Sequence, residues 1–156
     1  MRRSLHGGLS LLAILSLALA ITACGSSSSS SDSTTTTISK AVFLKKGNAV
    51  CAKGNKQINQ IASQTFPKNK KPTQAQVKQF TAQASSLIQA QIDGVKALGA
   101  PAGDSATVNQ ITSDAQAALD NVKSNPQGFL KGDPFKKANQ ESKAYGLTAC
   151  AGGGGG

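Results

Sequence analysis

A small antiparallel bundle of about four α-helices is the fold class this sequence predicts for residues 39–151, and three observations predict it. Apolar residues there recur at spacings of three and four, the period of a one-sided helix. No run of alternating β-branched residues reads as a strand. Proline and glycine divide the segment into stretches of helical length joined by short connections.

The first helix opens at Ser39, whose hydroxyl suits an N-cap. Phe43, Gly47, Val50, Gly54, Ile58 and Ile61 are expected on its inner face, and Phe66-Pro67 ends it. Each glycine inside the helix costs about 1 kcal/mol relative to alanine. Gly47 and Gly54 lie seven apart on the inner stripe, so close packing of a neighbouring helix is the expected reason for them. After Pro72, Thr73-Gln74-Ala75-Gln76 has the form of a capping box. The stripe of the second helix is Val77, Phe80, Ala84, Leu87, Ile88, Ile92, Val95 and Leu98, with Gly99 as its C′ residue and Pro101 blocking continuation. The third helix starts at Asp104 or Ser105, buries Val108, Ile111, Ala115, Ala118, Leu119 and Val122, and stops at Asn125-Pro126. A short turn at Gly128-Phe129-Leu130 is expected to drop two apolar side chains onto the core. For the last helix Asp133 is the expected N-cap and Pro134 the first residue. Phe135, Ala138 and Tyr145 face inward, and Gly146 ends it. One Tyr and five Phe make a thin core for this length.

Ahead of the bundle lies a different kind of sequence. Met1–Arg3 form a basic head, and Leu9 to Ile21 is an apolar run of 13 residues broken only by Ser10 and Ser16. A membrane-spanning helix needs about 20 such residues, so the run has the proportions of a secretory signal. Ile21-Thr22-Ala23-Cys24 resembles the lipobox of bacterial lipoproteins. The resemblance implies alkylation of the Cys24 sulfur by diacylglycerol, cleavage before Cys24, and two acyl chains holding the protein at the extracytoplasmic face of the cell membrane. Residues 25–37 are almost entirely Ser and Thr with one charge, a composition that cannot bury apolar surface and acts as a flexible tether. The expected organisation is a signal peptide at 1–23, a lipidated Cys24 and tether at 24–38, a helical domain at 39–151, and a glycine tail at 152–156.

Cleavage removes His6, Arg2 and Arg3, the chain's whole complement of His and Arg. The remainder carries 15 Lys against seven acids. Without imidazole or guanidinium it has no histidine general base, no His-ligated metal and no bidentate arginine clamp. In an oxidising compartment Cys51 and Cys150 are expected to bridge and close the bundle. They lie 99 positions apart, and closing a loop of that size stabilises by about 4–5 kcal/mol in the chain-entropy account. A redox-active pair or a metal site competes with this reading, without a CxxC motif or a second ligand type to support it.

The order of features also resembles small, uncharacterised actinobacterial lipoproteins. In those a tether leads to a helix with an "F…NAxCAK" motif and the chain closes with "YGL…C". The matching residues are Phe43, Asn48, Ala49, Val50, Cys51, Ala52 and Lys53, then Tyr145, Gly146, Leu147 and Cys150. The resemblance implies a helical fold and the Cys51–Cys150 pairing, and no activity.

Charge is uneven along the chain. From Ser33 through Ile92 nine lysines stand without a single acid, whereas six lysines face six acids from Asp93 to Cys150. Lys45, Lys46, Lys53, Lys56, Lys68, Lys70 and Lys71 are the candidate contact face for a polyanion, either anionic lipid headgroups or a cell-wall polymer; a merely solvated surface is the bland alternative. Nucleic acid is not an expected partner, since no aromatic residue interleaves these lysines and Arg is missing. No cofactor and no catalytic residue is expected. Asp114 and Asp120 sit six apart, about 240° around a helix, and share no face. The expected role is therefore a non-enzymatic binding or scaffold module. The alternatives are a small-ligand carrier with a pocket between the helices and, more remotely, a wall-acting hydrolase. Cys24→Ala is expected to move the protein from the membrane pellet to the soluble fraction of its host; a variant that still sediments with membranes removes the anchor.

Overall fold

The computed structural model describes residues 37–152. The apolar run at 9–21, Cys24, the tether through residue 36 and the glycines at 153–156 lie outside the described residues. Four helices follow in order: α1 (Lys40–Thr65), α2 (Gln74–Ala97), α3 (Ser105–Ser124) and α4 (Lys136–Tyr145). Short 3-10 turns occupy Pro126–Leu130 and Cys150–Gly152, and no strand occurs among the described residues. The fold is all-α, closed by a Cys51–Cys150 disulfide with the two Cα atoms 4.9 Å apart.

Local chemistry sets the helix ends. The Ser39 hydroxyl accepts from the Val42 amide, and Thr73 and Gln76 form the complete reciprocal capping box. Gly99, at φ +70°, ends α2 in the left-handed conformation that favours glycine. Two expected caps differ. Asp104 flanks α3 but makes no capping bond with its side chain, because that carboxylate is drawn to Tyr145 and Lys40. Asp133 lies outside α4, which starts at Lys136; its carboxylate accepts from the Phe135 amide and from Asn139, the local turn that competes with helix.

Helix α1 buries Phe43, Gly47, Cys51, Gly54 and Ile58. Cys51 thus holds the place on the stripe expected for Val50, which is half-buried at its flank, as is Ile61. Helices α1 and α2 run antiparallel in close register. A Cβ at Gly47 would reach toward Leu98, one at Gly54 would strike Gln91, and one at Gly94 would stand 2.8 Å from Val50 Cγ1. No Cα of α1 comes within 8 Å of one in α3 or α4. Helix α1 is instead joined to the end of α4 by the C-terminal segment.

That junction is assembled from α1 outward. Gly146, at φ +106°, lets α4 close with bonds from the Gly146 amide to Lys143 and from the Leu147 amide to Ser142, a Schellman turn. The reversal drops Leu147, 1% exposed, against Gly47, where an added Cβ would stand 2.6 Å from its Cδ2. Asn48 donates to the Gly146 carbonyl and accepts from the Ala149 amide, and Asn55 donates to the Ala149 carbonyl. Phe43, Cys51, Val95, Val108 and Leu147 form the packed core at this end.

The glycine contacts predict a split response. Gly94→Ala is expected to destabilise by about 1–3 kcal/mol, since the stiff β-branched Val50 cannot step aside. Gly54→Ala meets only a glutamine side chain that can swing out, so the helix-propensity gain of up to about 1 kcal/mol should offset most of its cost. Urea midpoints of the two variants check the difference, and equal losses would contradict it.

Candidate functional site

The space between α1 and the rest of the bundle is not filled. A cavity of about 660 Å³ opens there, within the size range of small-molecule sites. Its inner wall is apolar: Cys51, Ile58, Ala84, Ile92, Val95, Ile111, Ala138 and Leu147 are all buried. Phe80, Phe129 and Phe135 form an aromatic flank, each half-buried. With Phe66 they make a row of rings whose successive centroids are 5.1, 6.2 and 6.4 Å apart, spacings typical of interacting aromatic pairs. Asn59, Gly132 and Asp133 are exposed and mark the opening. The disulfide lines the cavity at its packed end.

The chain therefore divides its apolar side chains between two ends. Of five phenylalanines, Phe43 alone is fully buried; the other four form the ring row beside the hollow. Leu130, expected with Phe129 on the core, is 56% exposed. The 3-10 turn carrying both residues directs one ring to the cavity wall and leaves the leucine outside.

The polar equipment of the cavity is narrow. Thr112 donates to the carbonyls of Val108 and Asn109, and Asn139 is engaged with Asp133. The carboxamides of Asn59 and Gln91 make no hydrogen bond among the described residues. Asp133 is the one ionisable group in the lining, and no lysine reaches it.

The seven candidate lysines fall elsewhere. Lys45, Lys46, Lys53 and Lys56 occupy an arc of roughly 100° on the outer face of α1. Lys68, Lys70 and Lys71 stand on the exposed α1–α2 loop. All seven are exposed, and none is ion-paired with an acid among the described residues.

Two charged clusters were not visible in the sequence. At the packed end, Tyr145 Oη donates to Asp104 Oδ2 at 2.7 Å, and Lys40 Nζ lies 3.2 Å from that oxygen and 4.3 Å from the Tyr145 ring centroid. The tyrosine bond, with Lys40 adding to it, holds Asp104 below the ordinary carboxylate range. Burial, then Asp104 itself, pushes the phenol well up. The second cluster joins α3 to α4. Lys137 Nζ lies 3.0 Å from Asp114 Oδ2 and 3.8 Å from Glu141 Oε1. The bond from Gln110, then Lys137, lowers Asp114, while burial and the neighbouring Asp114 raise Glu141. Neither carboxylate lines the cavity, so this pair has no substrate cleft between its members and reads as a helix–helix contact. A separate α2–α3 groove of about 550 Å³ contains Lys78, Thr81, Ser85 and Lys123. The Thr81 and Ser85 hydroxyl oxygens are covered and unbonded among the described residues.

No three His, Cys, Asp or Glu side chains gather to hold a metal among the described residues, and no described helix is long and apolar enough to cross a membrane. No family model, curated protein or solved structure matches the chain.

The Asp104 shift gives a signed pH prediction. A carboxyl lowered on folding contributes stability above its unfolded pKa and loses it as pH falls through the folded value. Tyr145→Phe removes the largest lowering contact, so the variant should be less stable than the parent at neutral pH. The gap should begin to narrow as pH falls past about 4, where the unfolded carboxyl takes up its proton, and should close only at lower pH, below the depressed folded value of the parent. Urea unfolding at neutral and acid pH measures it; a gap of constant size would show that the tyrosine acts by packing alone.

Proposed function

We propose that this protein is a membrane-anchored extracytoplasmic lipoprotein whose helical domain holds a small apolar molecule between its helices. The cavity carries the reading: about 660 Å³, walled by apolar side chains from all four helices and by the rings of Phe80, Phe129 and Phe135. An ordinary small bundle closes such a space, because interiors pack near the density of organic crystals and a void lined by apolar groups destabilises by the contacts it forfeits. A domain this short on apolar residues that still leaves a large apolar space gains by filling it with a ligand. A tether of Ser and Thr leading from a lipid-modified Cys24 would keep such a carrier beside the bilayer, where apolar molecules partition.

A second reading is favoured by the unpaired lysines. Four of them share the outer face of α1 and three stand on the adjoining loop, all exposed and none ion-paired with an acid among the described residues. That face would rest against anionic lipid or a wall polyanion, and the two readings are compatible in one molecule. The proposed role is binding in both cases, without catalysis.

Ala115 lines the cavity from α3 and is half-buried. Ala115→Phe is expected to cut uptake of the uncharged dye N-phenylnaphthylamine at least about tenfold, with helicity by circular dichroism unchanged. Undiminished uptake removes the carrier reading. In a Cys24→Ala background, Lys68→Gln, Lys70→Gln and Lys71→Gln together should abolish salt-sensitive adhesion to vesicles of anionic phospholipid; adhesion indifferent to salt and to these changes removes the second reading.

A further inference from the structure

The domain carries an excess of lysine, so a carrier for fatty acids or other anionic lipids would find abundant ammonium groups to hold the head. The cavity uses none of them. Its ionisable lining is Asp133 alone, exposed at the opening. Lys131 and Lys136, the lysines nearest to it in sequence, are exposed and do not line the cavity. Asp133 is held in place by the Phe135 amide at 2.9 Å and the Asn139 carboxamide at 3.0 Å, so its charge stays at the rim. An anionic head entering here would shed water beside a like charge with no counter-ion to receive it, a costly arrangement in a half-dry site.

The remaining polar groups suit a different head. The Asn59 and Gln91 carboxamides, on α1 and α2, are unbonded among the described residues. Each offers two N–H donors and one carbonyl acceptor. Such groups match a hydroxyl, carbonyl or amide and leave no charge unpaired.

Resting on the carrier reading, we infer that the cavity selects an uncharged amphiphile, with its apolar body against the Phe80, Phe129 and Phe135 flank and its head among Asn59 and Gln91, and that Asp133 rejects acids. The test is competition for bound N-phenylnaphthylamine in the Cys24→Ala chain. The competitors are a fatty alcohol and a fatty acid of equal chain length, both below their aggregation concentrations at neutral pH. The chain has no Trp and one Tyr, so intrinsic emission does not interfere. The alcohol should displace the dye about tenfold better than the acid. Asp133→Asn keeps a carbonyl oxygen for the Phe135 amide and should narrow that gap to about threefold or less. A fatty acid that competes as well as the alcohol overturns the inference and leaves the carrier reading standing. A gap unaltered in Asp133→Asn overturns the assignment to Asp133. Dye that is never taken up by the parent chain removes the carrier reading itself, and this inference with it.

Discussion

The fold depends on the docking of five residues, Gly146 to Cys150, onto the first half of α1. Leu147 occupies space that exists because Gly47 has no side chain. Asn48 and Asn55 satisfy the segment's backbone groups, which would otherwise be lost to burial. The disulfide then fixes the arrangement covalently. Each of these contacts presupposes the turn at Gly146, where a left-handed residue reverses the chain at the end of α4. Remove the docking and α1 keeps α2 along its length, with only the contacts of Lys40 and Phe43 near its start tying it to Asp104, Val108 and Tyr145.

This attachment explains why the bundle is hollow. Helix α1 is held along α2 and pinned at one end by the C-terminal segment, while its backbone stays away from α3 and α4. Near the pin, Phe43, Val95, Val108 and Leu147 close the core. Farther along, the gap widens into the cavity, flanked by rings from α2, the 3-10 turn and the residue preceding α4. Packed and hollow ends are consequences of one asymmetric fastening. Rigidity at the disulfide end and space at the other is an arrangement suited to holding a molecule on a fixed frame.

Charge obeys a separate logic. Lysines crowd the outer arc of α1 and the loop after it, whereas Asp104, Asp114 and Glu141 are engaged by Lys40, Tyr145 and Lys137. The lysine-bearing arc and loop are cationic, and the cavity lining carries no lysine. In the proposed function the first would rest against a polyanion and the second would hold the ligand.

The sequence by itself determined the four helices, the reciprocal cap at Thr73, the glycine stops at Gly99 and Gly146, and the contacting glycines of α1, because each rests on interactions within a few residues or on a period of 3.6. Its misplacements are equally instructive. Asp104 and Asp133 were legible as caps from neighbours alone; in the fold, one carboxylate reaches Tyr145, 41 positions away, and the other closes a local turn that delays α4. Cys51 took the core position expected of Val50 because its bridge partner approaches from the far end of the chain. The cavity was decided only by tertiary structure. A pocket between the helices was only an alternative at the level of sequence, because periodicity assigns a side chain to a face without saying whether anything meets it there. Whether opposing faces touch is a property of how far apart the helices are fastened, and no local stretch of sequence contains that distance.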